Sequence, residues 1–142
     1  MAPKFTPEQV DEAIRHVIEY GAQDRAKTIR YTEVFIAAGM DPPQELHMGG
    51  EGDVVTAFMK AFHDRCKAVG LPPLDSLVVH VAGERESHPG KGYFTVNNHI
   101  DPFGTSGTAQ QVTNAFAFWD TEKRATRTWG DQYRRGQITS PI

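Results

Sequence analysis

Apolar residues recur at helical spacing from the start of the chain. Val10, Ile14, Val17 and Ile18 fall at i, i+4, i+7 and i+8, a single stripe of one helix. Thr6, followed by Pro7 and by Gln9 three residues on, predicts the start of that helix as a capping box, and Gly21 marks its end. Residues 28–31 suit a short extended piece. Thr32 then caps a two-turn helix that turns Val34, Phe35 and Ala38 inward and stops at Gly39. Between Asp41 and Gly52, Pro42, Pro43, Gly49, Gly50 and Gly52 break every period, so a long loop is expected. Asp53 caps a third helix with Val55, Phe58, Met59, Phe62, Cys66 and Val69 on its buried face, closed by Gly70.

Leu71-Pro-Pro-Leu74 has to be extended, because each proline pushes the residue before it out of the helical region. Leu77–Val81 reads as a buried strand, residues 83–92 as a charged turn, and Tyr93–Val96 as the returning strand of a hairpin. A loop rich in Asn, Pro and Gly follows. Thr108 and Gln111 form a second capping box, opening a long helix that buries Val112, Ala115, Phe116, Trp119, Thr126, Trp129 and Tyr133. The pattern predicts a single α+β domain over residues 1–142, with four helices packed on a small antiparallel hairpin in a winged-helix-like arrangement. Phe58, Phe62, Val79, Phe116 and Trp119 are expected to meet in its core.

Two stretches carry a resemblance. Leu71-Pro-Pro-Leu-Asp-Ser-Leu-Val-Val79 followed by Pro89-Gly-Lys-Gly-Tyr-Phe94 resembles a signature of uncharacterised bacterial and phage-type proteins. With Ile29-Arg-Tyr-Thr-Glu-Val34 upstream it covers residues 28–94 and implies a shared fold, with no activity attached. The order of elements from Ile29 to Val81 is also similar to the winged-helix part of alkylguanine-DNA alkyltransferases. Their reactive cysteine has no counterpart here: the only cysteine, Cys66, precedes the motif region, which reads Pro73-Leu-Asp-Ser76. Alkyl transfer is therefore not implied.

The balance of 15 basic and 18 acidic residues argues against a generalised nucleic-acid or membrane coat. A lone cysteine excludes an intrachain disulfide and suits a reducing compartment. No apolar run has signal-peptide or membrane-span length, so a cytoplasmic location is expected. Charge concentrates once, where Lys123, Arg124, Arg127, Arg134 and Arg135 stand against Glu122 and Asp131.

That cationic stretch is the leading candidate interface. Lys123, Arg124, Arg127 and Arg134 share a helix and make a face suited to phosphates, with Arg85 and Lys91 of the charged turn as further contacts. The function this favours is a non-enzymatic binding module for nucleic acid or a protein partner, needing no cofactor. The competing explanation pairs those cations with the acidic N-terminal half, within one chain or across a homodimer. His80, His88, His99 and Asp101 supply metal-ligand chemistry and suggest, as the alternative, a small metal-dependent hydrolase or nuclease. Their spacing matches no metal motif, and a structural histidine beside a strand is the simpler account of His80. His63 and Cys66 are helical neighbours, yet Cys66 sits on the apolar stripe, where a thiol is an inert hydrophobe. No serine has nucleophile-elbow context, and residues 83–92 lack the spacing of a phosphate loop.

Overall fold

Both capping boxes form. Oγ1 of Thr6 accepts from the Gln9 N–H at 3.2 Å while Oε1 of Gln9 accepts from the Thr6 N–H at 2.8 Å. Thr108 and Gln111 repeat the exchange at 3.1 and 2.8 Å. The computed structural model describes residues 5–24, 27–42, 48–81 and 83–142, with backbone alone at 48–53. α1 (Pro7–Val17) runs on into a π-type turn (Ile18–Ala22), followed by β1 (Ile29–Arg30) and α2 (Tyr31–Ala37). α3 (Met48–Ala68) leads through a 3₁₀ turn (Leu74–Leu77) to β2 (Val78–Val79). α4 (Lys91–Val96) and α5 (Ala109–Arg134) complete the chain.

The α+β class holds, but with five described helices, and the sheet is not the one expected. β1 and β2 pair in parallel, Ile29 opposite Val78 and Arg30 opposite Val79. The partner of β2 comes from 49 positions upstream in this register, because parallel strands need a crossover, here made through α2 and α3. The returning strand of the hairpin is the short helix α4 instead. Tyr93 and Phe94 are adjacent and both buried within this helix. Thr95 Oγ1 donates to the Lys91 carbonyl at 3.0 Å and Asn97 Nδ2 to the Tyr93 carbonyl at 2.8 Å, so side chains satisfy the helix's own acceptors. Among the described residues of 77–96 no antiparallel hairpin is formed.

α3 also begins before Asp53, at Met48, taking in glycines expected to lie in a loop. Extending an existing helix costs far less than nucleating one, so those glycines are carried by the turns that follow. Residues 43–47 of the expected loop lie outside the described residues.

The apolar stripes are where the sequence put them, but they form two groups. Val10, Ile14, Val34, Phe35, Phe58, Phe62 and Leu77 belong to the larger core between α1, α2, α3 and the 3₁₀ turn. Val79, Tyr93, Phe94, Ala115 and Trp119 make a second, with Phe116 against it. Of the five residues expected in contact or one shell apart, Phe58 and Phe62 lie in the larger group, and Val79, Trp119 and Phe116 in or against the second. α5 reaches the larger core at Gly130, where an added Cβ would stand 1.8 Å from the Ala22 carbonyl oxygen. Glycine in a helix interior costs about 1 kcal/mol, and here it lets α5 touch the π-type turn backbone to backbone. No helix of the described residues is long and apolar enough to cross a membrane.

Candidate functional site

The turn after α3 sets the site. Leu71-Pro-Pro-Leu74 cannot continue the helix, and the Ser76 N–H turns back to the Pro73 carbonyl at 3.0 Å. α5 clamps this turn from behind. Trp119 Nε1 donates to the Ser76 carbonyl at 2.8 Å, and Thr126 Oγ1 lies 3.0 Å from the Pro73 carbonyl. Asp75 is thereby held 4% exposed. Its Oδ2 receives His63 Nδ1 at 2.9 Å from α3. The hydrogen bond to Asp75 raises the His63 imidazole above its ordinary value near 6.5, and the carboxylate charge assists while burial opposes. His63 thus turns to Asp75 and not to its helical neighbour Cys66, whose thiol burial pushes up, out of nucleophilic range.

Asp75 lines a cavity of about 540 Å³ between α3, the residues flanking β2 and α4. Tyr31 and His80 pack ring against ring at 4.7 Å on one side of it. Gly90 closes that corner: its N–H donates to Tyr31 Oη at 2.8 Å, and a Cβ there would stand 3.0 Å from His80 Nε2. Tyr93 of α4 faces the same space, 6% exposed. Burial, then the charges of Asp75 and Glu122, push its phenol up, so it stays a neutral hydroxyl. At the rim stand Lys60, Arg85 and Lys91 with Glu84.

Among the described residues, three buried side-chain polar atoms have no hydrogen-bond partner: Asp75 Oδ1, Tyr93 Oη and Arg85 Nη1. All three residues line this one cavity. An unpartnered buried polar atom costs about 1–3 kcal/mol, so these three residues single out this cavity as the candidate site.

Arg85 and Lys91, selected from the sequence as contacts, are both at this cavity. Arg85 is braced by an ion pair to Asp101 and lies 4.8 Å from the Phe103 ring. Burial would raise the Asp101 carboxyl, but the hydrogen bonds from Arg85 and the Phe103 N–H outweigh it and hold it low. Lys91 makes no ion pair among the described residues.

The cationic face of α5 is occupied otherwise. Lys123 Nζ sits 3.7 Å from the Trp119 ring centroid, Arg127 Nη1 donates to the Asp24 carbonyl at 3.2 Å, and Arg134 pairs with Asp131 at 2.8 Å. Arg124 pairs with Asp120 one turn back. None of the four lines the cavity.

The metal candidates are dispersed as well. His80 is at the cavity, His88 packs edge-on against Phe103 and Phe116, and His99 lies against Phe118. No group of three or more His, Cys, Asp or Glu among the described residues is placed to hold a metal ion.

Sequence reasoning missed Tyr31, Lys60, Asp75 and Tyr93. Asp75 carried a signal, as a lone acid inside the apolar run Leu74 to Val79. The two tyrosines did not, because aromatic residues in short apolar stretches read as core.

No family model matches the chain, and no curated protein or solved structure is found similar to it.

Proposed function

We propose that this protein is a non-enzymatic binding module for nucleic acid, and that its ligand site is the cavity between α3 and α4. One observation carries the reading. Asp75, Tyr93 and Arg85, whose buried Oδ1, Oη and Nη1 lack a partner among the described residues, all line one cavity, together with the aromatic Tyr31 and the basic Lys60 and Lys91. Volumes of 300–1,000 Å³ with a few convergent polar groups are typical of ligand sites. Oδ1 of Asp75 calls for a ligand N–H or O–H, Arg85 Nη1 for an acceptor or anion, and the rim lysines favour phosphate. Nucleic acid suits this rim better than a protein surface does, since it offers planar donors and anionic groups together.

The test is fluorescence anisotropy with a labelled single-stranded oligonucleotide across a series of salt concentrations. Replacing Lys60 and Lys91 together by Ala should weaken binding and flatten the slope of log K against log salt by about 1.4, two phosphate contacts' worth on a single strand. Replacing Lys123 and Arg127 should leave the slope unchanged. No binding at low salt, or the opposite pattern of sensitivity, removes the reading.

A further inference from the structure

The cavity has two chemically different ends. Deep inside are an acceptor, Asp75 Oδ1, and a hydroxyl, Tyr93 Oη, both without a partner among the described residues. Asp75 already shares its other oxygen with His63, and the remaining oxygen is an acceptor suited to an N–H donor. Toward solvent stands Lys91, exposed, and Arg85, of intermediate exposure, also lines the cavity. Between the ends lie the rings of Tyr31, His80 and Tyr93. A flat ring with a hydrogen-bonding edge and an anionic group at its far side meets every one of these demands.

We infer that the cavity takes a nucleoside phosphate, with the base inward on Asp75 and Tyr93 and the phosphate outward on Lys91 and Arg85. The inference rests on the proposed function, since it assumes the same cavity, and it narrows the ligand to a single nucleotide unit. That unit has two sources, a free mononucleotide or the end of a strand. In either case aromatic side chains stack the base, a contact that tolerates any base, and the carboxylate and phenol read its edge. Nothing in this arrangement needs a duplex.

The experiment is isothermal titration of the full chain with adenosine monophosphate, cytidine monophosphate, adenosine, inorganic phosphate, and a single-stranded oligonucleotide with and without a terminal phosphate. Each mononucleotide should bind at one site, about tenfold or more tighter than adenosine or phosphate alone. Tyr93→Phe removes one hydroxyl and keeps the ring, and it should weaken both adenosine and the mononucleotides by about two- to tenfold. Lys91→Ala, at an exposed position, should weaken the mononucleotides and leave adenosine unchanged. Circular dichroism and thermal melting show that both variants are folded. Tighter binding of the phosphorylated oligonucleotide than of the unphosphorylated one assigns a strand end as the source; equal affinity of the two beside tight mononucleotide binding assigns the free nucleotide.

The inference is overturned if phosphate binds as well as the mononucleotides, or if neither folded variant changes their affinity. If the oligonucleotide binds with Lys60 and Lys91 sensitivity while no mononucleotide does, the inference falls and the proposed function stands. If nothing binds, both fall.

Discussion

Nδ1 of His63 lies 2.9 Å from Oδ2 of Asp75, joining α3 to the 3₁₀ turn across twelve residues of sequence. This contact holds the Asp75 carboxylate with one oxygen engaged and the other buried without a partner among the described residues. It also makes folding depend on pH. The raised His63 imidazole binds its proton more tightly in the folded chain than in the unfolded one. The stability it contributes is therefore full below the ordinary value of 6.5 and is lost as pH rises through the raised one. Glu122, raised by burial and then by the charge of Asp75, acts in the same direction from a lower pH. Denaturant unfolding should show stability falling as pH rises past the ordinary imidazole value of 6.5, and a ring-nitrogen NMR titration should give His63 a midpoint above that of a free imidazole. In Asp75→Asn the midpoint should drop, since burial then acts without the hydrogen bond. An unchanged midpoint would show that the pair does not form.

Gly130 gives a test of sign. An ordinary Gly→Ala change inside a helix stabilises by about 1 kcal/mol. Here the new methyl would meet the Ala22 carbonyl oxygen at 1.8 Å. Gly130→Ala should therefore destabilise by about 3 kcal/mol, measured by urea unfolding, as α5 is pushed off the π-type turn. Stabilisation would mean that α5 does not pack on Ala22.

Cys66 is 2% exposed on α3, with its thiol raised by burial. Alkylation of the folded protein should be slow and should accelerate on adding denaturant. Cys66→Ser should lower stability by about 1–3 kcal/mol, through a buried hydroxyl, and leave ligand affinity within twofold. Rapid labelling of the native chain would contradict the burial of this face.

Four of the five described helices were legible in the sequence because their signals are local. Thr6 with Gln9 and Thr108 with Gln111 are complete instructions within four residues, and the stripe of Val55, Phe58, Phe62 and Cys66 needs only a period. The sheet was not legible, because Ile29 finds Val78 through a crossover that no local pattern encodes. Tyr93-Phe-Thr-Val96 has the composition of a strand, and packing against Val79 and the α5 residues Ala115 and Trp119 makes it a helix. The same limit applied to the site. Arg85 and Lys91 announced themselves by charge. Asp75 and Tyr93 became a pair only when the 3₁₀ turn and α4 faced the same space. The most charged helix lies apart from the cavity: Lys123, Arg124, Arg127 and Arg134 contact a ring, a carbonyl and neighbouring carboxylates.

The cavity as ligand site is tested most directly by mapping amide chemical shifts while a mononucleotide is titrated into the labelled protein. Resonances of residues 90–96, with those of Asp75 and His80, should move together and saturate, while residues 123–134 of α5 stay in place. Shifts confined to 123–134, or no saturable shift anywhere, would contradict it.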